Sequence, residues 1–339
     1  MTTKEQVLDL LKNNGSAFLS GQEIADKLYI TRAAVWKAIK ALQKEGLEIE
    51  AVTNRGYRLL VDKYVPASNE IWASFKAHPS FEKIASVKEP DFVISLDSVD
   101  STNIFARNRA EIKPLEEGLI LAGNQTGGRG RRGRSFYSPD NTGLYLSFLL
   151  FPQSDFKEAS KLTCLTAVAI CRAIKNVTGI DVDIKWVNDI FYKGKKVGGI
   201  LTEAITSLED GMLSHVIIGI GINLYEPYEG FPQELKKIAG GILNGQISRE
   251  VKTKLISEIM VQFYLSYYFP DEYPYVEEYK ERSMLIGNYV KIISYSEAPS
   301  ASKGYAYVTG IDDSCHLLIR YDDGSSDVLS TGEVSVVKY

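Results

Sequence analysis

Apolar positions in the first sixty residues recur at helical spacing three times and then switch to alternation with polar ones. The spacing predicts a helix over Lys4–Lys12, ended by Asn13-Asn14-Gly15. Ser20 and Glu23 stand at capping-box spacing ahead of Ile24 and Leu28, so hydroxyl and carboxylate can each satisfy a free N–H at the start of a second helix. After Tyr29-Ile30, Thr31 is a good N-cap for a third helix. There Val35, Ile39 and Leu42 share one face, while Arg32, Lys37, Lys40 and Lys44 project from the other, and Gly46 closes it. The segment LEIEAVTNRGYRLL then alternates around Asn54-Arg55-Gly56, which predicts a hairpin with Arg55 and Arg58 at or near its tip. Two short helices with a tight turn, the second basic on its free side, followed by a hairpin, read as a winged helix-turn-helix.

Beyond a linker over Asp62–Asn69, marked by Pro66, strands and helices mix. FVISLDSV, GLILAG, GLYLSFLLF, VDIKWVNDIF and HVIIGIGINL read as strands apolar enough for burial on at least one face. Helices fit Asn103–Ile112, Phe156–Val177 and Arg249–Phe269; in the second, Leu162, Leu165, Ala169 and Ala173 recur toward a core. From Ser283 to Tyr339 short alternating strands with turns at Asp312-Asp313, Asp323-Gly324 and Thr331-Gly332 suggest a small β-barrel. The fold class is α+β and multidomain, with expected limits at 1–62, 70–282 and 283–339.

Composition narrows the function classes. At 339 residues, 45% hydrophobic and 24% charged, the chain is an ordinary globular protein with room for two or three domains. Its net charge of −4 argues against a coat of basic charge for unspecific nucleic-acid binding. Residues 1–60 nevertheless hold nine Lys and Arg against seven Asp and Glu, so the basic surface is local. Arg32, Ala33 and Lys37 would sit closest to base edges, with Gln22, Thr31, Lys40 and Arg55 completing the DNA surface. A winged module used for protein contact is the alternative. The N-terminus, charged at Lys4, Glu5 and Asp9, lacks a signal core, and no apolar run approaches a membrane span, so a cytoplasmic protein is expected. Three cysteines without CxxC spacing and three scattered histidines predict neither a disulfide framework nor a zinc site; packing is the reading for Cys164 and Cys171.

The stretch GGRGRRGRS (Gly127–Ser135) stands out, with four arginines and four glycines in nine residues. It joins three further motifs: DSVDSTN (Asp97–Asn103), KWVNDI (Lys185–Ile190) followed by KKVGGIL (Lys195–Leu201), and GIGIN (Gly219–Asn223). No Walker-type GxxxxGK[ST] occurs, and GIGIN lacks the third glycine of a dinucleotide fingerprint. The aromatic run Tyr264–Tyr279 carries only acidic charge, which disfavours base stacking and favours core packing or a protein contact.

In this order and spacing the motifs resemble those of the biotin protein ligases. With the winged helix, the resemblance is to the bifunctional ligases that also repress the biotin operon, and it covers essentially the whole chain. GRGRRGR is its most specific element, since the lipoate ligases do not carry it in this form. The resemblance implies a class II synthetase-like catalytic core and an SH3-like C-terminal barrel. It also implies a reaction in which biotin and MgATP give biotinyl-5′-adenylate, which then acylates one lysine of a biotin carboxyl carrier domain of acetyl-CoA carboxylase. Biotin, ATP and Mg2+ are thus the expected ligands, with no dedicated protein metal site; operator DNA and a ligand-promoted homodimer are the expected partners.

By matching motif positions, Ser101, Thr102, Asn103 and Gln125 resemble the contacts to the fused ring of biotin. Short polar side chains suit a neutral ureido group. Arg129, Gly130 and Arg131 resemble the biotin and adenylate contacts of the loop, with Gly128 and Arg132 toward the phosphates; glycines let backbone approach, and arginines supply forked donors. Lys196 matches the lysine that reaches the biotin carboxylate and the reacting phosphate. Lys185, Asn188 and Asp189 fall near ATP and the incoming lysine, whose amine has a reference pKa of about 10.4. Gly199 and Asn223 resemble adenylate contacts. Blander readings remain beside these: helix N-caps for Ser101 or Thr102, a solvated turn for single arginines such as Arg134, a backbone-satisfying turn for Asp189, and a solvent-facing Lys195. Val187 stands where many relatives have proline. Two other functions compete: a ligase whose winged helix no longer regulates, and a non-catalytic biotin-sensing transcription factor.

Overall fold

The structure, a computed structural model, describes residues 2–14, 17–44, 49–59, 65–140, 142–151, 159–206, 213–227, 230–243, 247–293, 304–330 and 332–336. Gly15, Gly46, residues 62–64 of the expected linker, residues 156–158 of the expected long helix, and Thr331 lie outside them.

Local chemistry builds the N-terminal unit as anticipated. Helices α1 (Thr3–Asn13), α2 (Gly21–Leu28) and α3 (Arg32–Lys44) pack Val7, Leu11, Ile24, Val35, Ile39 and Leu42 into one small core. Ser20 and Glu23 form the capping box: the Glu23 N–H donates to Ser20 Oγ at 3.1 Å and the Ser20 N–H to Glu23 Oε2 at 2.8 Å. Thr31 Oγ1 accepts the Ala34 N–H at 3.2 Å at the start of α3. Strands β1 (Ile49–Val52) and β2 (Gly56–Leu59) form the wing, and Tyr57 exchanges both backbone hydrogen bonds with Leu19. Gly56 is required there: its φ is +102°, and a Cβ would lie 2.2 Å from Leu19 O.

The central unit is a seven-stranded mixed sheet, in the order β3 (Phe92–Val99), β4 (Gly118–Gln125), β5 (Gly143–Leu150), β9 (Leu213–Asn223), β8 (Lys195–Thr206), β7 (Asp189–Tyr192) and β6 (Asp183–Lys185). Only β3 and β4 run parallel; their connection is α6 (Thr102–Ile112). One sheet face packs Leu121, Leu146, Phe148, Ile218, Ile220 and Ile222 against α4 (Ser68–Lys76), α7 (Ala159–Thr178) and α8 (Arg249–Tyr268). On α7, Leu162, Leu165, Ala169 and Ala173 are at most 1% exposed, as their periodicity predicts. The other face is covered partly by α6, whose Ala106 and Ala110 meet Ile120, Leu149 and Ile217. The aromatic run is interior: Tyr264, Tyr267 and Tyr279 are 1%, 2% and 0% exposed. None of the described helices is long and apolar enough to cross a membrane.

Two expectations are corrected. VDIKWVNDIF is not one strand but β6, a turn over Trp186–Asn188, and β7. Trp186 and Val187 are 4% and 6% exposed, so the turn is apolar because it is buried, and an apolar turn reads like a strand. The expected linker ends early: α4 begins at Ser68, inside it, held by Glu70, which accepts the Ala67 N–H at 2.8 Å. A further short helix, α5 (Phe81–Ala85), carries no sequence signal strong enough to predict it. The C-terminal region follows α9 (Val276–Glu281). It is a five-stranded antiparallel sheet, in the order β13 (Ser326–Leu329), β12 (Leu317–Arg320), β11 (Tyr305–Ile311), β10 (Tyr289–Ile293), β14 (Glu333–Val336).

Cys164, Cys171 and Cys315 are free and fully buried. Burial pushes the Cys171 thiol up to about 12, and burial beside the Cys315 thiol raises Cys164 well above the ordinary range. A raised folded-state value means the associated stability is intact below the ordinary thiol value of 9.0 and is lost as pH climbs toward 12. At about pH 8 a chromogenic thiol reagent should therefore register no fast cysteine in the native protein and all of them after denaturation.

Candidate active site

Strand register assembles the candidate residues before any loop is considered. Lys185 pairs with Asp189, Asp189 with Gly199, Gly199 with Gly221, Gly221 with Tyr145, and Tyr145 with Ala122. Residues paired in this way share a face, so one row crosses the sheet on the side of α6. In the next row Leu201, Gly219, Ser147 and Ile120 are paired likewise. The GIGIN motif, with Ile218 just before it, thus points Ile218, Ile220 and Ile222 into the core and leaves Gly219 and Gly221 on the α6 face. A Cβ at Gly219 would lie 2.2 Å from Asn103 Oδ1, and one at Gly221 would lie 2.4 Å from the Phe136 ring. The glycines make room for those two side chains.

Over Gly219 lies a polar cluster. Ser101, Thr102 and Asn103 are 2%, 3% and 4% exposed at the start of α6. Gln125 Oε1 accepts from the Thr102 N–H at 2.9 Å and from its hydroxyl at 3.1 Å, and Gln125 Nε2 donates to Ser138 Oγ at 3.0 Å. Gln125, rather than a local hydroxyl, therefore satisfies the helix start, and Ser101 makes no side-chain cap bond. Ser147 Oγ lies 2.7 Å from both Thr102 Oγ1 and Asn103 Oδ1, while Asn103 Nδ2 donates to Glu203 Oε2 at 2.7 Å. Ser147, Ser138 and Glu203 escaped the sequence reading. For Ser147 and Glu203 the signal was a polar residue inside a strand, as in GLYLSFLLF; Ser138 stands in the loop between β4 and β5.

Over Gly221 lies the arginine-glycine loop, seated by Phe136. The Gly127 N–H donates to Asp100 O at 2.8 Å, and the Phe136 N–H donates to Gly128 O at 2.9 Å. Gly128 is buried under the loop, where a Cβ would lie 2.5 Å from Phe136 O. A short 3-10 turn spans Arg131–Gly133, with Arg132 and Gly133 both left-handed at φ +60° and +72°. Gly130 donates its N–H to Arg134 O at 2.7 Å, which closes the loop. Arg131 is half-buried and donates to Asn188 Oδ1 at 3.2 Å; Arg129, Arg132 and Arg134 are exposed.

Asn188 and Asp189 leave the Trp186–Asn188 turn beside that arginine. Asn188 Nδ2 donates to Ile200 O at 2.9 Å. Lys196 Nζ meets Asp189 Oδ1 at 2.5 Å, with side chains 35% and 21% exposed. A Cβ on Gly199 would touch Lys196 Nζ at 3.4 Å, so the glycine floors the ion pair. The backbone of Lys196 is fixed from outside the sheet, its N–H donating to Ile238 O at 2.8 Å. Lys195 turns away and faces Glu226 at 3.6 Å; Lys185 lies 5.8 Å from the Phe191 ring. Asn223 is 7% exposed at the end of β9.

The candidate DNA residues lie in the separate N-terminal unit. Arg32, Ala33, Lys37 and Lys40 are all exposed on α3, as are Thr31 and Gln22, whose amide donates to Asp26 at 2.7 Å. At the wing, Arg55 and Arg58 lie 5.0 and 4.7 Å from the Phe18 ring. Trp36, which sequence reasoning passed over, is 53% exposed on the same helix.

Residues 95–223 match the biotin/lipoate A/B protein ligase family, and residues 3–58 match an HTH domain. The fold resembles the biotin protein ligase from Aquifex aeolicus solved in complex with biotin and ATP, at a TM-score of 0.57 and 26% identity, covering 73% of this chain and 99% of that one. A protein ligase domain of the biotin/lipoate class joined to a helix-turn-helix is what these matches define. The chain is also 33% identical over 332 residues to the bifunctional ligase/repressor BirA of Bacillus subtilis, covering 97% of each. The Escherichia coli bifunctional ligase/repressor BirA is 29% identical over 224 residues, which is 66% of this chain and 64% of that protein. The chain belongs to the BirA family of bifunctional ligase/repressors.

Gly221→Ala forces the Phe136 ring out of contact with β9. It should destabilise the central unit by about 1–3 kcal/mol, the usual cost of overpacking, as read by denaturant titration. An unchanged midpoint would show that the ring yields freely.

Proposed function

We propose that this chain forms biotinyl-5′-adenylate from biotin and ATP, transfers the biotinyl group to a lysine of a biotin carboxyl carrier domain, and represses biotin genes through its winged helix. The observation that carries the chemistry is the convergence of Lys196 with Asp189 and Arg131 with Asn188 over a glycine floor. In the first step a biotin carboxylate oxygen bonds to the α-phosphorus and pyrophosphate leaves. Two anions must meet, and Lys196 and Arg131 are the cations placed to offset their repulsion. Gly128 and Gly130 let loop backbone reach the phosphate, and Arg129 and Arg132 extend the positive field outward.

Asp189 acts next. Lys196 exchanges Asp189 for the bound anions, which releases the carboxylate to orient the incoming lysine and accept its proton. The amine then bonds to the acyl carbon, and AMP leaves with the electrons of the broken C–O bond. Lys185 and Asn188 flank that approach. Thr102, Asn103 and Gln125, with Ser101 beside them, hold the ureido ring, and Asn223 and Gly199 border the adenylate. Mg2+ enters with ATP as its counter-ion. Among the described residues no three His, Cys, Asp or Glu side chains converge into a group that could hold a metal ion.

We further read the central unit as class II synthetase-like and the C-terminal sheet as an SH3-like barrel, with domain limits at 1–62, 70–282 and 283–339. The setting is cytoplasmic, where ATP, carrier and operator meet. Repression would use an adenylate-promoted homodimer on paired half-sites, read by Arg32, Ala33 and Lys37 with Gln22, Thr31, Lys40 and Arg55 in support. A non-catalytic biotin sensor is the second reading; the intact cluster of Arg131, Asp189 and Lys196 disfavours it.

Lys196→Ala should slow ATP–pyrophosphate exchange by about a hundredfold or more, the scale of removing one transition-state donor. Arg131→Ala should shorten adenylate retention. No carrier labelling by the intact protein with ATP and biotin would sink the enzyme reading. Removing residues 1–62 should abolish binding to the protein's own upstream operator. If biotinyl-adenylate fails to tighten that binding in the full chain, repression is wrong.

A further inference from the structure

Three ties join the chain between α9 and β12 to the residues just before Asn188 and Asp189. Residues 282–284 extend the sheet past its edge strand β6: the Ile184 N–H donates to Arg282 O at 2.8 Å, and the Met284 N–H to Ile184 O at 3.0 Å. From α9, the fully buried Tyr279 hydroxyl donates to the Val187 carbonyl at 2.9 Å. From the turn between β11 and β12, the Cys315 carbonyl accepts the Trp186 indole N–H at 2.9 Å.

That carbonyl is itself aimed. Asp312 Oδ1 accepts the N–H groups of Ser314 at 2.9 Å and His316 at 2.8 Å, and Asp312 O accepts the Cys315 N–H at 2.9 Å. Cys315 is left-handed within this turn, at φ +63°. Its carbonyl orientation is therefore set by the turn.

Trp186 and Val187 are thus held one after the other, by partners from two different elements, and the next two residues of the chain are Asn188 and Asp189. Asn188 is the partner of Arg131, and Asp189 that of Lys196. A turn pinned at both preceding residues has little freedom left, so Asn188 and Asp189 leave it in one direction.

Resting on the ligase reading above, we propose that Tyr279 and the Trp186–Cys315 contact are positioning elements of the reaction. Through them α9 and the turn between β11 and β12 set the turn that carries Asn188 and Asp189, without touching substrate. The polar cluster of Thr102, Asn103 and Gln125 stands on α6 and β4, outside these ties, so recognition of the biotin ring does not depend on them.

The test uses the full-length protein and the variant Tyr279→Phe, which deletes one oxygen and keeps the ring. Turnover in biotin transfer to the carrier lysine should fall about three- to tenfold, the net worth of one hydrogen bond, with KM for biotin unchanged. Trp186→Phe should act in the same direction. The decisive measurement is a double-mutant cycle with Asn188→Ala, whose own turnover should be reduced. If Tyr279 acts through the turn, adding Tyr279→Phe to Asn188→Ala should cost little more. Full additivity in the cycle would overturn the proposal, as would a rise in biotin KM matching the loss of turnover. If Trp186→Phe does not fold, the cycle on Tyr279 decides alone. An inactive parent protein would instead remove the ligase reading itself.

Discussion

The catalytic surface depends on a single alternation along β9. Ile218, Ile220 and Ile222 lie in the core under α7 and α8, while Gly219 and Gly221 leave the opposite face bare. Each buried isoleucine contributes about 1.5–3 kcal/mol, whereas each strand glycine costs about 0.5–1 kcal/mol. Burial therefore wins, and the strand stays rigid although two of its residues have no side chain. The vacated space receives Asn103 from α6 and Phe136 from the arginine-glycine loop. Polar cluster and arginine-glycine loop are thereby registered against the same strand.

Charge is handled by pairing within reach of exchange. Lys196 and Arg131 are partly buried, and each has a polar partner, a carboxylate in one case and an amide in the other. Neither charge is stranded, yet neither is sealed in, so an arriving anion can compete for both. The exposed Arg129, Arg132 and Arg134 stand in high dielectric, where individual pairings contribute little and the field they add together matters more. The basic face of α3 lies far away in sequence, in the separate helix-turn-helix unit.

The winged helix was legible almost residue by residue because its signals are local: the Ser20–Glu23 box, the Thr31 cap, and the spacing of Val35, Ile39 and Leu42. The Trp186–Asn188 turn was not, because its apolar character answers to Tyr279 and Cys315, roughly a hundred residues downstream. Helix α4 hid behind Pro66, with only Ile71 and Phe75 as buried anchors. Composition singled out the arginine-glycine loop but could not say which arginine turns inward. That is decided by Asn188, 57 residues away from Arg131. Ser147 and Glu203 were visible only as polar interruptions, whose meaning required knowing that α6 crosses their strands.

Asn103 carries a last consequence. An ionised carboxylate can only accept, so Glu203 dictates which way the Asn103 amide faces, with its nitrogen toward Glu203 Oε2 and Leu201 O and its oxygen toward Ser147. Both amide hydrogens are engaged, and Oδ1 accepts from Ser147 directly above Gly219. The polarity of that position is therefore written one layer beneath it.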